Sequence, residues 1–217
     1  METRPDPLIA LFRKIGEIKR LKQRGFVLRE VADPPTVGAH GFREALMGWI
    51  FASMGEKKMD AAKIIKTTLI HDLCAGYAGD FTPYEPILEK TGGGSTQKKL
   101  FEKWVHLSKK EKELSYDRQR AAEQKCLSVL LKDLPERIKK EMEMLWYDYE
   151  QGRTREGRFV QQIDMLENFL QALEYWAQDA TFPIESWWHQ IKELLTEPIL
   201  IEFLSALDKE FHGKAKG

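Results

Sequence analysis

Residues 60–72 read DAAKIIKTTLIHD, an apolar helical run that ends on the adjacent pair His71-Asp72. Asp60 is placed to cap the run, and Ile64, Ile65, Leu69 and Ile70 carry it directly into the pair. The pair has company. His40 lies upstream in PTVGAHGFREAL and Asp164 downstream in FVQQIDMLENFL, each within otherwise apolar helical sequence. Two imidazoles and two carboxylates make a mixed nitrogen and oxygen set. Such a set suits a divalent transition metal better than Ca²⁺ or Mg²⁺, which want nearly all-oxygen shells. A charged Asp facing a core is costly unless something compensates it, and a bound cation would do so. His40, His71, Asp72 and Asp164 therefore predict one divalent ion, drawn from Co, Mn, Zn, Fe and Ni.

Each residue alone has a plainer reading. His40 can be a polar residue near a helix start, and His71 a helix-terminal imidazolium favoured by the macrodipole. An Asp at such a C-terminus is less natural. Asp164 can be a buried N–H acceptor or a residue of a polar face. The constellation is harder to dismiss than its members. His106, His189 and His212 lack comparable settings and read as surface or packing residues.

Working outward, the pattern is helical nearly throughout. Leu8, Leu11, Ile15 and Ile18 recur at spacings of three and four, the stripe of an amphipathic helix. Gly25 is expected to end that stretch and begin a turn through Pro34-Pro35. A second helix should run from about Thr36 to Met54, with Leu46, Trp49, Ile50 and Met54 on its buried side and Gly55 as its stop. After the His71-Asp72 pair, Pro83 and Pro86 mark a loop. Residues 91–95, TGGGS, are a hinge by composition; they lack the Gly-Lys-Ser/Thr ending of a phosphate-binding loop, and no strand precedes them. Ser108 opens a capping-box pattern and a charge-rich helix to about Leu131. Pro135 starts a helix that ends near Gly152. Phe159, Ile163, Leu166, Leu170 and Leu173 mark a long core helix that carries Asp164. Pro183 and Pro198 open two final helices, the last with Ile199, Phe203, Leu207 and Phe211. With no alternating run for a strand and no internal repeat, the expectation is an all-α fold.

A chain of 217 residues suffices for one substantial core and is short for two, so residues 1–217 are expected to form one domain. Lys+Arg and Asp+Glu are equal at 34 each, which argues against a nucleic-acid polymer as partner because such binders need a basic excess or stripe. Cys74 and Cys126 are too far apart for a zinc-type spacing, and a reduced intracellular protein is expected. No apolar run approaches the roughly 20 residues of a membrane span, and METRPDPLIALFRKI does not read as a secretory signal. The expectation is a cytoplasmic protein with no membrane partner.

The order of these residues, a His, a His-Asp doublet some thirty positions on, and a distant helical Asp, resembles the HD-domain superfamily of metal-dependent phosphohydrolases. IKRLKQRGFVLREV, PPTVGAHGFREALM, HDLCAGYAGDFTPYE and EGRFVQQIDMLENFLQALEY read like successive blocks of its 5′-deoxynucleotidase-like branch. The resemblance covers roughly residues 10–180, apart from a lengthened segment at about 87–110, with additional C-terminal helices over 181–212. It implies a compact helical bundle and a homodimer, for which Trp187-Trp188 are candidate exposed aromatics or, equally, core residues. It places the metal ligands on His40, His71, Asp72 and Asp164, and implies hydrolysis of a (deoxy)nucleoside 5′-monophosphate to nucleoside and phosphate. It also sets Arg24 and Phe26 against the substrate; the plainer readings are a solvated charge and a loop-packing aromatic.

The chain departs from the family in one telling place. Where the family shows His-Asp, two residues and a catalytic Glu, this chain has Ala75. Ala39 stands where an acidic residue is common, and Gly41 where Ser is. Asp80, a second acidic position of the family's active site, is present. Loss of one acid–base group typically costs about 10²–10⁴ in rate. The expected phosphomonoesterase is thus impaired unless Asp80 substitutes. The rival expectations are an HD-domain protein that binds metal and nucleotide without turnover, and a purely structural helical oligomer.

Overall fold

A computed structural model of the chain describes residues 5–56, 58–74 and 109–214. Ala75, Asp80, the TGGGS hinge, His106 and most of the lengthened segment lie outside the described residues, as does the side chain of His212. Among the described residues there are nine helices and no strand, only an isolated bridge between Lys22 and Thr36. The fold is all-α, as expected. No described helix is long and apolar enough to cross a membrane.

The first helices are α1 (Pro5–Ile18), the four-residue α2 (Arg24–Val27), α3 (Val37–Met54) and α4 (Ala61–Ile70). Thr36 caps α3 by accepting from Ala39 N at 3.0 Å, and Asp60 caps α4 by accepting from Lys63 N at 2.9 Å. Gly25 does not end the first stretch; it lies inside α2, and the break comes before it, after Ile18. The remaining helices are α5 (Lys109–Leu130), α6 (Glu136–Gln151), α7 (Arg155–Gln178), α8 (Glu185–Leu194) and α9 (Pro198–Lys214).

Helix α7 is the spine. Phe159, Val160, Ile163, Leu166, Phe169 and Ala172 along it are wholly buried, and it packs against α3, α4, α6 and α8. Two apolar clusters surround the elements that matter for function. One gathers Phe26, Phe51, Phe159, Trp187 and Leu200, and the other Ile18, Ile70, Leu127, Leu131 and Trp146. Trp187 and Trp188 are thus packing residues: Trp187 is buried and stacks on Phe26, and Trp188 meets the edge of Phe169 with centroids 4.5 Å apart.

Helix α3 faces the opposite way from the expectation. Leu46, Trp49, Ile50 and Met54 are on the outside, the last three more than half exposed at 53%, 51% and 64%. The inward face carries His40, Glu44, Gly48, Phe51 and Ala52. The physical reason is the polar pair: His40 and Glu44 lie one turn apart on one face, and the helix turns that face into the bundle. Gly48 makes this possible, because a Cβ there would sit 2.8 Å from Ile64 Cγ2 of α4.

The α6–α7 corner is similarly tight. A Cβ on Gly157 would lie 2.5 Å from Asp148 O. The buried Asp148 carboxylate accepts from Thr154 N at 2.7 Å and pairs with Lys63 Nζ at 2.6 Å. Burial works to raise its pKa, but Lys63 and Thr154 outweigh burial and hold it below the usual 3.8. A depressed carboxylate stabilises the fold above its ordinary value and loses that contribution as pH falls through the lowered one. Asp148→Ala strands the Thr154 N–H and takes from Lys63 its nearest carboxylate, leaving it Thr154 Oγ1 and Glu156. A loss of about 3 kcal/mol is expected, seen as a fall in Tm of roughly 6–12 °C that shrinks in acid.

Candidate metal centre

Three helices and one helix end converge on the space behind α3. His40 and Glu44 come from α3, and His71 and Asp72 from the end of α4, where His71 is the C-cap. Asp164 and Glu167 come from α7 and Tyr149 from α6. His40 and His71 are 1% and 3% exposed, with ring centroids 5.7 Å apart. His40 Nε2 lies 3.3 Å from Asp164 Oδ1 and 3.8 Å from Asp72 Oδ2, and His71 Nε2 lies 3.5 Å from that same Asp72 oxygen. One donor atom from each of His40, His71 and Asp72 falls within 4.8 Å of the others. The four residues singled out in the sequence are brought together.

The imidazoles are oriented as ligands. His71 Nδ1 is 2.9 Å from Thr68 O, a carbonyl that can only accept, so Nδ1 carries the proton and the neutral ring offers its lone pair at Nε2. That Nε2 is buried and has no hydrogen-bond partner. His40 Nδ1 makes a very short contact with the Glu167 carboxylate, leaving Nε2 turned to Asp72 and Asp164. Carboxylate–histidine and carbonyl–histidine pairs of this kind fix the tautomer in metal sites. Asp164 is held in turn: Tyr149 Oη donates to its Oδ2 at 2.7 Å and Asn168 Nδ2 to its Oδ1 at 2.9 Å. The donor set fits a divalent ion, and the orphaned His71 Nε2 is the clearest single sign.

The profile of the HD domain family matches residues 15–199. This chain belongs to that family. Among its relatives, a 5′-deoxynucleotidase HDDC2 of Dictyostelium discoideum is 31% identical over 172 residues, covering 77% of this chain and 76% of the relative. The Xenopus laevis protein of the same name is 26% identical over 204 residues, covering 94% and 87%. Two solved structures share the fold. A Pyrococcus horikoshii OT3 protein gives a TM-score of 0.65 at 19% identity over 93% of this chain and 98% of that one. A Magnetospirillum magnetotacticum MS-1 protein, described as a predicted metal-dependent phosphohydrolase, gives 0.55 at 19% identity over 97% and 94%.

In this HD-domain chain the site opens on a cleft of about 650 Å³ whose lining includes His71, Asp72, Arg120, Glu123, Glu150 and Asp164. Arg120 is engaged there, its Nε 3.2 Å from Glu150 Oε2. Neither Arg24 nor Phe26 lines the cleft. Phe26 is 1% exposed and stacks on Trp187 with centroids 5.4 Å apart, and Arg24 is half-buried at the start of α2. The first loop instead reaches the site through buried Gln23, whose Nε2 donates to Asn168 Oδ1 at 3.3 Å.

The charges are mutually dependent. Burial works to lower the His71 pKa, but Asp72, Glu44 and Asp164 raise it to about 9. Burial likewise opposes protonation of His40, and its bonds to Asp164 and Glu167 outweigh burial. Burial works to raise Asp164, and His40, the His71 charge and the Tyr149 hydroxyl hold it at about 2. The surrounding carboxylates thus favour the protonated rings, and a metal ion competes with those protons for the ring nitrogens.

Sequence reasoning missed Glu44, Tyr149, Glu167 and Asn168. Helical spacing carries a signal for three of them: Glu44 is one turn after His40, and Glu167 and Asn168 are one turn after Asp164. Tyr149 and Gln23 leave no such trace. Glu167 also accepts from Arg43 Nε at 2.8 Å, so its orientation is fixed from two sides. Glu167→Gln removes the charge that sets the His40 tautomer. A loss of about 10–100-fold in divalent-metal affinity is expected, checked by titrating the apoprotein with Mn²⁺ or Co²⁺ calorimetrically.

Proposed function

We propose that the chain is a divalent-metal-dependent phosphomonoesterase that hydrolyses (deoxy)nucleoside 5′-monophosphates to nucleoside and phosphate. The observation that carries this reading is the pair of buried histidines, each with one ring nitrogen tied down, the other turned toward Asp164 and Asp72 in His40 and toward Asp72 in His71. The relatives named 5′-deoxynucleotidase support the substrate class. His40, His71, Asp72 and Asp164 would hold the ion. When bound, it lowers the pKa of a water and polarises the phosphoryl oxygens.

The chain's own residues set the conditions for that chemistry. Asp72, Asp117, Glu123, Glu150 and Asp164 among the cleft residues present carboxylates to any anionic substrate. Repulsion of a phosphate by these groups is relieved only when a cation occupies the site, which ties binding to the metal. Tyr149 and Asn168 keep Asp164 from rotating away. Asp80 is the acidic group this reading assigns to orienting the attacking water and taking its proton. Contact of Phe26 with a substrate requires its stack on Trp187 to open; Arg24 carries no such burial. The homodimer implied by the resemblance is part of the same proposal; Trp187 is buried in the core and Trp188 partly so.

A second reading has one specific support, the Ala75 that replaces the family's Glu: binding of metal and nucleotide without turnover. A panel of ribo- and deoxyribonucleoside 5′-monophosphates separates the two. The enzyme reading expects phosphate release that is stronger for some members and stops with chelator. Thermal stabilisation by nucleotide with no release throughout would leave the binding reading.

A further inference from the structure

Glu44 is 0% exposed, and neither of its carboxylate oxygens has a hydrogen-bond partner. It lies one turn after His40 on the inward face of α3. Its Oε2 is 3.7 Å from His40 Nε2 and 3.5 Å from His71 Nδ1. Burial weighs most against its charge; His71 and His40 offset part of that cost, and Asp164 and Asp72 add to it. A buried carboxylate without donors is strongly unfavourable, and in its protonated form it would still strand a buried O–H. Buried charges of this kind are paired or coordinate metals. The His71 Nδ1 proton is already directed to Thr68 O, so that ring helps Glu44 by its charge and not by a hydrogen bond.

We propose that Glu44 is a ligand of the metal centre, giving it two imidazoles and three carboxylates. The inference rests on the phosphohydrolase reading only in requiring that the ion be there. The spacing to His40 is compatible with shared coordination. Ligand atoms each about 2.1 Å from one ion lie at most about 4.2 Å apart, and Glu44 Oε2 and His40 Nε2 are inside that limit at 3.7 Å. The enlarged oxygen share has a chemical consequence. Carboxylates suit Mn²⁺ better than the softer-ligand ions, whereas two imidazoles alone favour Zn²⁺ or Cu²⁺. Glu44 thus biases the site toward Mn²⁺. It also explains why α3 gives up an apolar position at the centre of the bundle to an acid.

The test is metal binding by chelator-stripped protein, in wild type and Glu44→Gln, with circular dichroism confirming that both apoproteins are folded. Mn²⁺ affinity is read by calorimetry and the Co²⁺ environment by its visible absorption. Glu44→Gln is expected to weaken Mn²⁺ at least about tenfold, to weaken Zn²⁺ less, and to change the Co²⁺ band shape. Glu44→Asp keeps the charge with a shorter reach; it is expected to fold and to lose Mn²⁺ affinity as well, and it serves if the Gln variant does not fold. Equal Mn²⁺ affinities with superimposable Co²⁺ spectra would overturn the assignment while leaving the metal centre intact. Absence of binding in the wild type would overturn it together with the reading beneath it.

Discussion

His71→Ala is expected to leave the protein without bound divalent metal and to cut phosphate release on the order of 10³-fold or more. His71 closes α4 at the point where α3 and α7 converge, and its buried Nε2 makes no hydrogen bond and faces Asp72 Oδ2 at 3.5 Å. Removing the ring removes that donor atom together with its contacts to Asp72 and Thr68 O, so circular dichroism must confirm that the variant is folded. The ion's Lewis-acid effect is worth several kcal/mol of transition-state stabilisation, and each 1.4 kcal/mol is tenfold in rate, which sets the size of the loss. The check has two parts: metal content after desalting, and the metal-dependent rise in Tm, both of which should disappear. A variant that keeps its metal and its activity would remove His71 from the centre.

Ala75→Glu is expected to act in the opposite direction. Alanine can neither orient a water nor accept its proton, and restoring one acid–base group is worth about 10²–10⁴ in rate. The expected result is an increase in kcat of that order, with metal affinity little changed because the proposed ligands are untouched. Position 75 follows the His71-Asp72 pair by the family's own spacing, so the substitution returns the motif to its usual form. If wild type is silent and the variant active, the site is an intact phosphohydrolase disabled at one residue. If the two turn over at the same rate, proton transfer does not depend on that position and Asp80 carries it.

The helices were legible because their signals are local. Thr36, Asp60 and Pro135 stand at helix starts, and Phe159, Ile163 and Leu166 line the buried side of α7. That His40, His71, Asp72 and Asp164 would be brought together was legible for a different reason: each alone has plainer uses, but two imidazoles and two carboxylates set in apolar helices make a constellation that is harder to dismiss. What failed was the facing of α3. A tally of apolar side chains points Trp49, Ile50 and Met54 inward, yet the bundle needs the side bearing His40 and Glu44, and hydrophobicity alone cannot rank a site's demand above a stripe of large residues. Gly25 misled likewise, since a glycine marks a turn only on average and here it fits within α2. Tyr149, Gln23 and the stack of Phe26 on Trp187 depend on contacts between elements distant in sequence. No spacing rule reaches them.

The most direct test of the account is phosphate release from a single deoxynucleoside 5′-monophosphate by the chelator-stripped chain, before and after Mn²⁺ or Co²⁺ is added back. The account predicts no release from the stripped protein and restored release on adding the ion, however slow the turnover with Ala75 in place. Release unaffected by chelation, or none with any ion in this chain and in Ala75→Glu alike, would contradict it.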